Sequence, residues 1–293
     1  MSTWITIDSP ASRKDIAAHY GELDEAYRRL WGEHLHHGLW ESGRELVQEA
    51  IESLVHRVAR TLELRPGMEL CDVGCGYGGT SWLLAEHYGQ RVTGLTITPE
   101  QVERARARPV PSATVPPRFL LADWLENDFA DASFERLVSL ECIGHVPDKA
   151  RFFRELHRVL RPGGQALVTA WLTQERPSAW RRRHLLEPIC REGRLPSMGS
   201  AQAYGDLARA AGLDVLSYED LSAKVLRTWS ICLQRTLAGL ATDHELRRFL
   251  VHGRSSNRVF ALTLVRIWLA YRVGAMEYGW FHLRRPEAAY SSR

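Results

Sequence analysis

Short apolar runs alternating with helix-period segments organise the middle of the chain. From Met68 onward, MELCDV, RVTGLT, RFLLA, RLVSLE and QALVTAWL are apolar and rich in Val, Leu and Thr, which predicts five strands. Between them, apolar residues recur at helical spacing near 80–88, 99–107 and 148–160. Alternation of this kind predicts an α/β fold with a doubly wound, mostly parallel sheet. Residues 10–62 carry a helical period, with Ile16, Tyr20, Leu23, Tyr27, Leu30 and Trp31 on one stripe before the glycine-interrupted WGEHLHHGLW. Beyond Trp171 a mostly helical segment runs to about Ala211, and LDVLSYED predicts a sixth strand. A second helical insertion runs to about Tyr278, and YGWFHLRR predicts a last strand beside the sixth. The expected organisation is a helical lid over 1–62, a ligand-binding core over 63–171, and cap insertions with the last two strands of the same domain over 172–293. Ligands of open α/β sheets bind beyond the carboxyl ends of the strands, where lid and cap are placed to close over them. Arg108–Pro117, with four prolines, reads as a loop before the third strand.

Composition narrows the classes. A chain of 293 residues, 45% hydrophobic and 25% charged, can bury a full core. Its net charge of +3, from 38 basic and 35 acidic residues, gives no nucleic-acid footprint, and Arg181-Arg182-Arg183 reads as a solvated helix face. Cys71, Cys75, Cys142, Cys190 and Cys232 form no C-x-x-C unit, so neither a disulfide framework nor a zinc site is expected. The start, MSTWITIDSPASRKD, lacks a basic stretch followed by an apolar run, and no segment reaches the ~18 apolar residues of a membrane span. A reduced, cytoplasmic protein is the expectation. Val259 to Ala270 carries Arg266 and reads as an amphipathic helix. His34, His36 and His37 suit neither one helical face nor a zinc motif, so no metal is expected.

The chemistry begins at Asp72-Val73-Gly74-Cys75-Gly76-Tyr77-Gly78-Gly79, which follows a strand and opens a helix. Gly74, Gly76 and Gly79 fit G-x-G-x-x-G, which suits a dinucleotide pyrophosphate. Two features point elsewhere. Asp72 sets a carboxylate before the first glycine, where it suits an ammonium- or sulfonium-bearing ligand. Thr96 stands at the end of the second strand, where dinucleotide binding wants an acid for the ribose.

LCDVGCGYGGTSWLLAEHYG, VTGLTITPEQVERAR and LLADWLENDFADASFERLVSLECIGHVPDKARFFRELHRVLRPGGQALV, in that order, resemble class I S-adenosylmethionine-dependent methyltransferases. WGEHLHHGLW, GLTITPEQ and LLEPICREGRLPSMGSAQAYGDLARAAGLDV, continuing to DLSAKVLRTW, are similar to the gamma-tocopherol methyltransferase-like group, related to sterol methyltransferases and plant indole-alkaloid N-methyltransferases. The resemblance implies a Rossmann-like, seven-stranded sheet with N-terminal helical lid and helical cap insertions. It implies S-adenosyl-L-methionine as cofactor and methyl transfer to C, N or O of a small, largely apolar, natural-product-type acceptor.

Site residues follow from the same resemblance. Asp72, Gly74, Cys75, Gly76 and Gly78 would form the cofactor loop, with Thr96, Ile97 and Gln101 at the ribose. Ala122, Asp123 and Trp124 would hold the adenine, and Leu140, Tyr20 and His37 would border the same pocket. Glu141 and His145, after the fourth strand, would meet the acceptor: His145 as a base, Glu141 to stabilise a cation or orient the histidine. Structural roles compete for some of these: Thr98 as a helix cap before Pro99, His145 as a cap for the helix near Asp148, Glu141 as a partner of loop backbone. Trp171, Trp180, Trp229, Trp268 and Trp280, with Phe249 and Phe260, suit either core packing or an aromatic acceptor pocket. Within the enzyme class, C-methylation of an isoprenoid diphosphate would enlist Arg181 to Arg183 or Arg247-Arg248, although no D-D-x-x-D-like motif accompanies them. An NAD-dependent dehydrogenase and a non-catalytic cofactor-binding partner are the readings from other classes. A homo-oligomer is compatible with the sequence.

Overall fold

The computed structural model describes residues 4–7, 12–22, 34, 36–111, 114–242 and 255–287. The first strand, β1 (Trp4–Thr6), stands apart from the main sheet. It is followed by helices Arg13–Glu22 and Val47–Thr61. The latter buries Ala50, Ile51, Leu54, Val55, Val58 and Ala59, a single stripe at helical spacing, so its apolar face drives its docking on the core.

The five middle strands form where their apolar runs predict them: β2 (Glu69–Val73), β3 (Arg91–Thr96), β4 (Arg118–Leu121), β5 (Phe134–Leu140) and β6 (Leu160–Thr173). Helices Gly79–Tyr88, Pro99–Ala107 and Lys149–Val159 intervene. The last of these starts where the Asp148 carboxylate accepts the Arg151 N–H at 2.7 Å, so Asp148 is its cap and His145 is not. β6 begins earlier than the run QALVTAWL predicts, with an irregular register near Phe134 and Arg136.

Beyond β6 come β7 (Ser197–Gly199), β8 (Asp214–Asp220) and β9 (Met276–Arg284), separated by helical segments that include Glu187–Glu192, Ala201–Ala210, Ser222–Thr242 and Ser255–Arg272. The main sheet has seven strands in the order β4-β3-β2-β5-β6-β9-β8. It is parallel from β4 to β6, and β9 runs antiparallel between β6 and β8. The last strand thus lies beside the sixth as expected, but inside the sheet.

β1 and β7 carry no periodic signal at three residues each, and the sequence reading passes over them. They pair antiparallel, Ile5 opposite Met198. Trp4 stacks on Tyr204 at 5.4 Å, and a Cβ on Gly199 would lie 2.7 Å from the Trp4 ring. The N-terminal strand is therefore clipped to the insertion that follows β6. Of the predicted stripe, Leu23, Tyr27, Leu30 and Trp31 lie outside the described residues, as do Arg247, Arg248 and Phe249. Among the described residues, no helix is long and apolar enough to cross a membrane.

Candidate active site

The carboxyl ends of β2, β3 and β5 open on a cavity of about 270 Å³, roofed by His34, His36 and His37 on one side and by Glu192, Leu195, Trp229 and Ile267 from the cap on the other. Of the two acidic side chains of β2, Glu69 and Asp72, the second lines it. Asp72 is the exception in a strand buried on both faces, and the hydroxyl of Ser81 donates to its carboxylate at 2.6 Å. Burial pushes the Asp72 carboxyl up to about 6, against the pull of that hydrogen bond. An anionic group held this deep calls for a cation beside it.

The loop after Asp72 turns through left-handed backbone at Gly74 (φ 78°) and Gly76 (φ 55°). Gly74 also meets the loop after β5: a Cβ there would fall 2.4 Å from Cys142 Cβ. Gly78 is different from what the motif implies. It is not on the cavity wall, and a Cβ on it would strike the Phe119 ring at 2.6 Å, so packing rather than a ligand excludes a side chain there. Cys75, Ile97, Ala122 and Leu140 do face the cavity.

At the end of β3 the Thr96 hydroxyl donates to Gln101 Oε1 at 2.6 Å, which holds the amide by its oxygen and leaves its N–H groups to meet a ligand. Thr98 occupies the N-cap position of helix Pro99–Ala107, but its side chain makes no capping hydrogen bond. Beyond β4, Asp123 lines the cavity while accepting the Leu125 N–H at 2.9 Å, and Trp124 donates its indole N–H to the Phe152 carbonyl at 3.2 Å. The turn role and the ligand-facing position of Asp123 coexist.

Glu141 ends β5 in left-handed backbone, φ 59°, a strained conformation for a residue with a Cβ. Its carboxylate accepts from the His37 backbone N–H at 2.7 Å, the His37 ring Nδ1 at 2.8 Å, the Tyr278 hydroxyl at 2.8 Å and the Trp171 indole at 3.2 Å. Burial alone would raise its carboxyl, but the interaction with His37 outweighs this and brings it below the usual carboxylate range. Glu141 therefore engages His37, and the expected pairing of Glu141 with His145 does not form. His145 reaches the cavity from the turn after β5 with Nδ1 3.3 Å from the Arg194 carbonyl. Burial pushes its imidazole down to about 4, so the ring is uncharged at neutral pH.

At this end Thr169, Tyr278 and Glu192 have no role assigned from the sequence, whereas Trp171 is one of its aromatic candidates. Tyr278, Thr169 and Trp171 gather round Glu141 from β6 and β9, and Glu192 projects from the cap, where it accepts from the Thr263 hydroxyl and pairs with Arg266. Of the aromatic set, Trp171 and Trp229 face the cavity, and Trp280 is buried away from it. Trp180 is exposed, and Arg181 and Arg182 are tied to Gln174 and Glu187 outside the cavity. The described wall holds Asp72, Asp123, Glu141 and Glu192 and neither lysine nor arginine. Tyr20 is helical, and its side chain lies outside the described residues.

The cavity thus sets a buried carboxylate before a left-handed glycine loop, an amide after β3 and a carboxylate after β4. Comparison with known proteins identifies the family. The family model for mycolic acid cyclopropane synthetase matches residues 8–267. Tocopherol O-methyltransferase of Arabidopsis thaliana is 30% identical, over 94% of this chain and 83% of its own. The 27-O-demethylrifamycin SV methyltransferase of Amycolatopsis mediterranei is 35% identical, over 75% of this chain and 81% of its own. In fold, the chain is similar to mycolic acid cyclopropane synthase CmaA1 complexed with SAH and CTAB, with a TM-score of 0.82 at 22% identity over 95% of this chain and 100% of that one.

Proposed function

Since the chain belongs to the mycolic acid cyclopropane synthetase family of S-adenosylmethionine-dependent methyltransferases, we propose that it methylates a small, largely apolar acceptor of the natural-product type. The observation that carries this reading is one cavity with two unlike walls. On one side stand Asp72, the glycine loop, Gln101 and Asp123; on the other stand Trp171, Trp229, Leu195, Leu264 and Ile267 around Glu141. The first wall suits a polar cofactor, and the second suits an apolar acceptor with one polar point of attachment.

When bound, S-adenosylmethionine supplies an electrophilic methyl group carried on a sulfonium. Asp72 would meet the ammonium of its amino-acid part, the Gly74–Gly76 backbone would lie along it, Thr96 and Gln101 would hold the ribose, and Asp123 the adenine amine. Leu140 and Ile97 exclude water from the junction of the two walls. Displacement at a methyl carbon needs alignment of nucleophile and leaving group above all, and a rigid cavity supplies that. Glu141 and His145 stand on the acceptor side, the first as a fixed negative charge, the second as an uncharged ring that touches the acceptor. A diphosphate acceptor would need lysine or arginine side chains to neutralise it; the described wall holds neither, and Arg247 and Arg248 lie outside the described residues. Five free thiols suit the cytoplasm, where we place the enzyme.

Titration with S-adenosylhomocysteine, followed by methyl transfer to a panel of apolar phenols, sterols and amines, tests the proposal. We expect tight binding and turnover of at least one neutral or amine acceptor. A chain that binds S-adenosylhomocysteine no better than NAD would overturn it.

A further inference from the structure

His37 is the unexplained residue of the cavity. Its ring is 1% exposed and lines the cavity, Nδ1 lies 2.8 Å from Glu141 Oε1, and its backbone N–H binds the same oxygen. Nε2 is buried and meets no hydrogen-bond partner among the described residues. Around it stand the rings of Tyr278 at 4.9 Å, Trp229 at 5.2 Å, Trp171 at 5.9 Å and Tyr271 at 6.1 Å. A polar atom left unpaired in such surroundings is costly, and native structures rarely keep one without a use.

With its Nδ1–H committed to a carboxylate, a neutral His37 presents an Nε2 lone pair, shielded from water by four aromatic rings. We infer that His37, held by Glu141, takes the proton of the methyl acceptor, so that the acceptor carries an O–H at the atom methylated. The inference rests on the methyl-transfer reading above and adds the destination of the proton and the class of acceptor. In the step, the acceptor X–H bond breaks and an N–H bond forms at Nε2. The electron pair left on X forms the new bond to the methyl carbon, and the pair of the breaking sulfur–carbon bond stays on sulfur. The imidazolium formed on His37 faces Glu141 and later returns its proton to water.

Charge decides between His37 and His145. An imidazolium at His37 has a carboxylate at 2.8 Å, whereas the His145 ring, its Nδ1 3.3 Å from a backbone carbonyl, sits in a setting whose burial already disfavours charge. Glu141 is in this scheme a positioning residue, and its left-handed backbone is the strain that aims it at His37.

Two measurements test the inference on the chain of 293 residues. In protein labelled with 15N in its histidine rings and loaded with S-adenosylhomocysteine, the resonances lost in His37→Asn identify His37. We expect a protonated Nδ1 and a bare Nε2 whose signal moves when phenol is added. A protonated Nε2, or one that phenol leaves unmoved, overturns the inference. The second measurement is methyl transfer to phenol and to 4-nitrophenol, the latter largely ionised at neutral pH. His37→Asn, which keeps an N–H for Glu141, should lose about 10²–10³-fold with phenol and recover to within about tenfold of wild type with 4-nitrophenol. Glu141→Gln should follow the same pattern to a smaller extent. Equal losses on both phenols mean a packing role and overturn the inference. If wild type methylates neither phenol, the Nε2 resonance decides alone. Failure of wild type to bind S-adenosylhomocysteine would instead sink the methyl-transfer reading, so the two failures are told apart.

Discussion

The cofactor wall and the acceptor wall of the cavity are built by opposite means. Asp72 to Gln101 and Ala122 to Trp124 form the first from two continuous stretches, positioned by loop backbone. The second is assembled round one carboxylate whose partners lie 30, 104 and 137 residues away in sequence. A backbone-built wall fails when a single Cβ is added. A side-chain network instead distributes its strength, and the loss of one member is felt through the others.

The largest effect should come from Gly74→Val, where left-handed backbone and the 2.4 Å approach to Cys142 both oppose a side chain. Affinity for S-adenosylhomocysteine by calorimetry should fall on the order of 10²-fold or more. Unchanged affinity would erase the distinction between the two walls.

Next in size is a pH effect confined to the cofactor wall. Burial raises Asp72, so its negative charge is present above about 6 and lost as pH falls through that value. Affinity for S-adenosylhomocysteine should be level above this point and drop roughly tenfold per pH unit below it. Asp72→Asn should flatten the profile; a profile that stays sloped in this variant would assign the titration to another group.

On the acceptor wall, His145→Ala should spare cofactor affinity and lower single-turnover methyl transfer by less than about tenfold. A loss of about 10²–10⁴-fold, the usual contribution of a positioned base, would give the proton to His145 instead of His37. The smallest effect is expected from Arg182→Ala, which removes an ion pair with Glu187 outside the cavity. Turnover of a neutral acceptor should not change, and a large loss would revive the diphosphate alternative.

The same contrast explains what could be read in the sequence. The strands β2 to β6 and the loops after β2, β3 and β4 are local patterns, so their apolar runs, glycines and acids announce them. Gly78 belongs to such a pattern and still misleads, because a motif cannot tell a glycine that admits a ligand from one that admits Phe119. The Glu141–His37 pair is invisible to spacing: HHG and the acid in SLECIGH are separate segments until the fold brings them to 2.8 Å. Tyr278 and Trp171 were legible as strand residues, but the register that sets them opposite each other exists only once β9 has paired with β6. β1 and β7 are too short for any period, and only their mutual pairing defines them.

The position of β9 has a consequence for how the molecule is made. It is the last described strand in the chain, yet it lies between β6 and β8, hydrogen-bonded on both sides. β8 emerges from the ribosome some 60 residues earlier and has no sheet edge to join until β9 arrives. Nascent chain up to the end of the second insertion therefore holds a five-stranded sheet with β6 as an open edge, beside helices whose apolar faces await Tyr278 and Trp280. Such an edge pairs readily with other chains, so the slow and aggregation-prone phase of folding should last until β9 has been made. A premature stop before Met276 would remove an interior strand, and with it the Tyr278 hydroxyl that holds Glu141 in place.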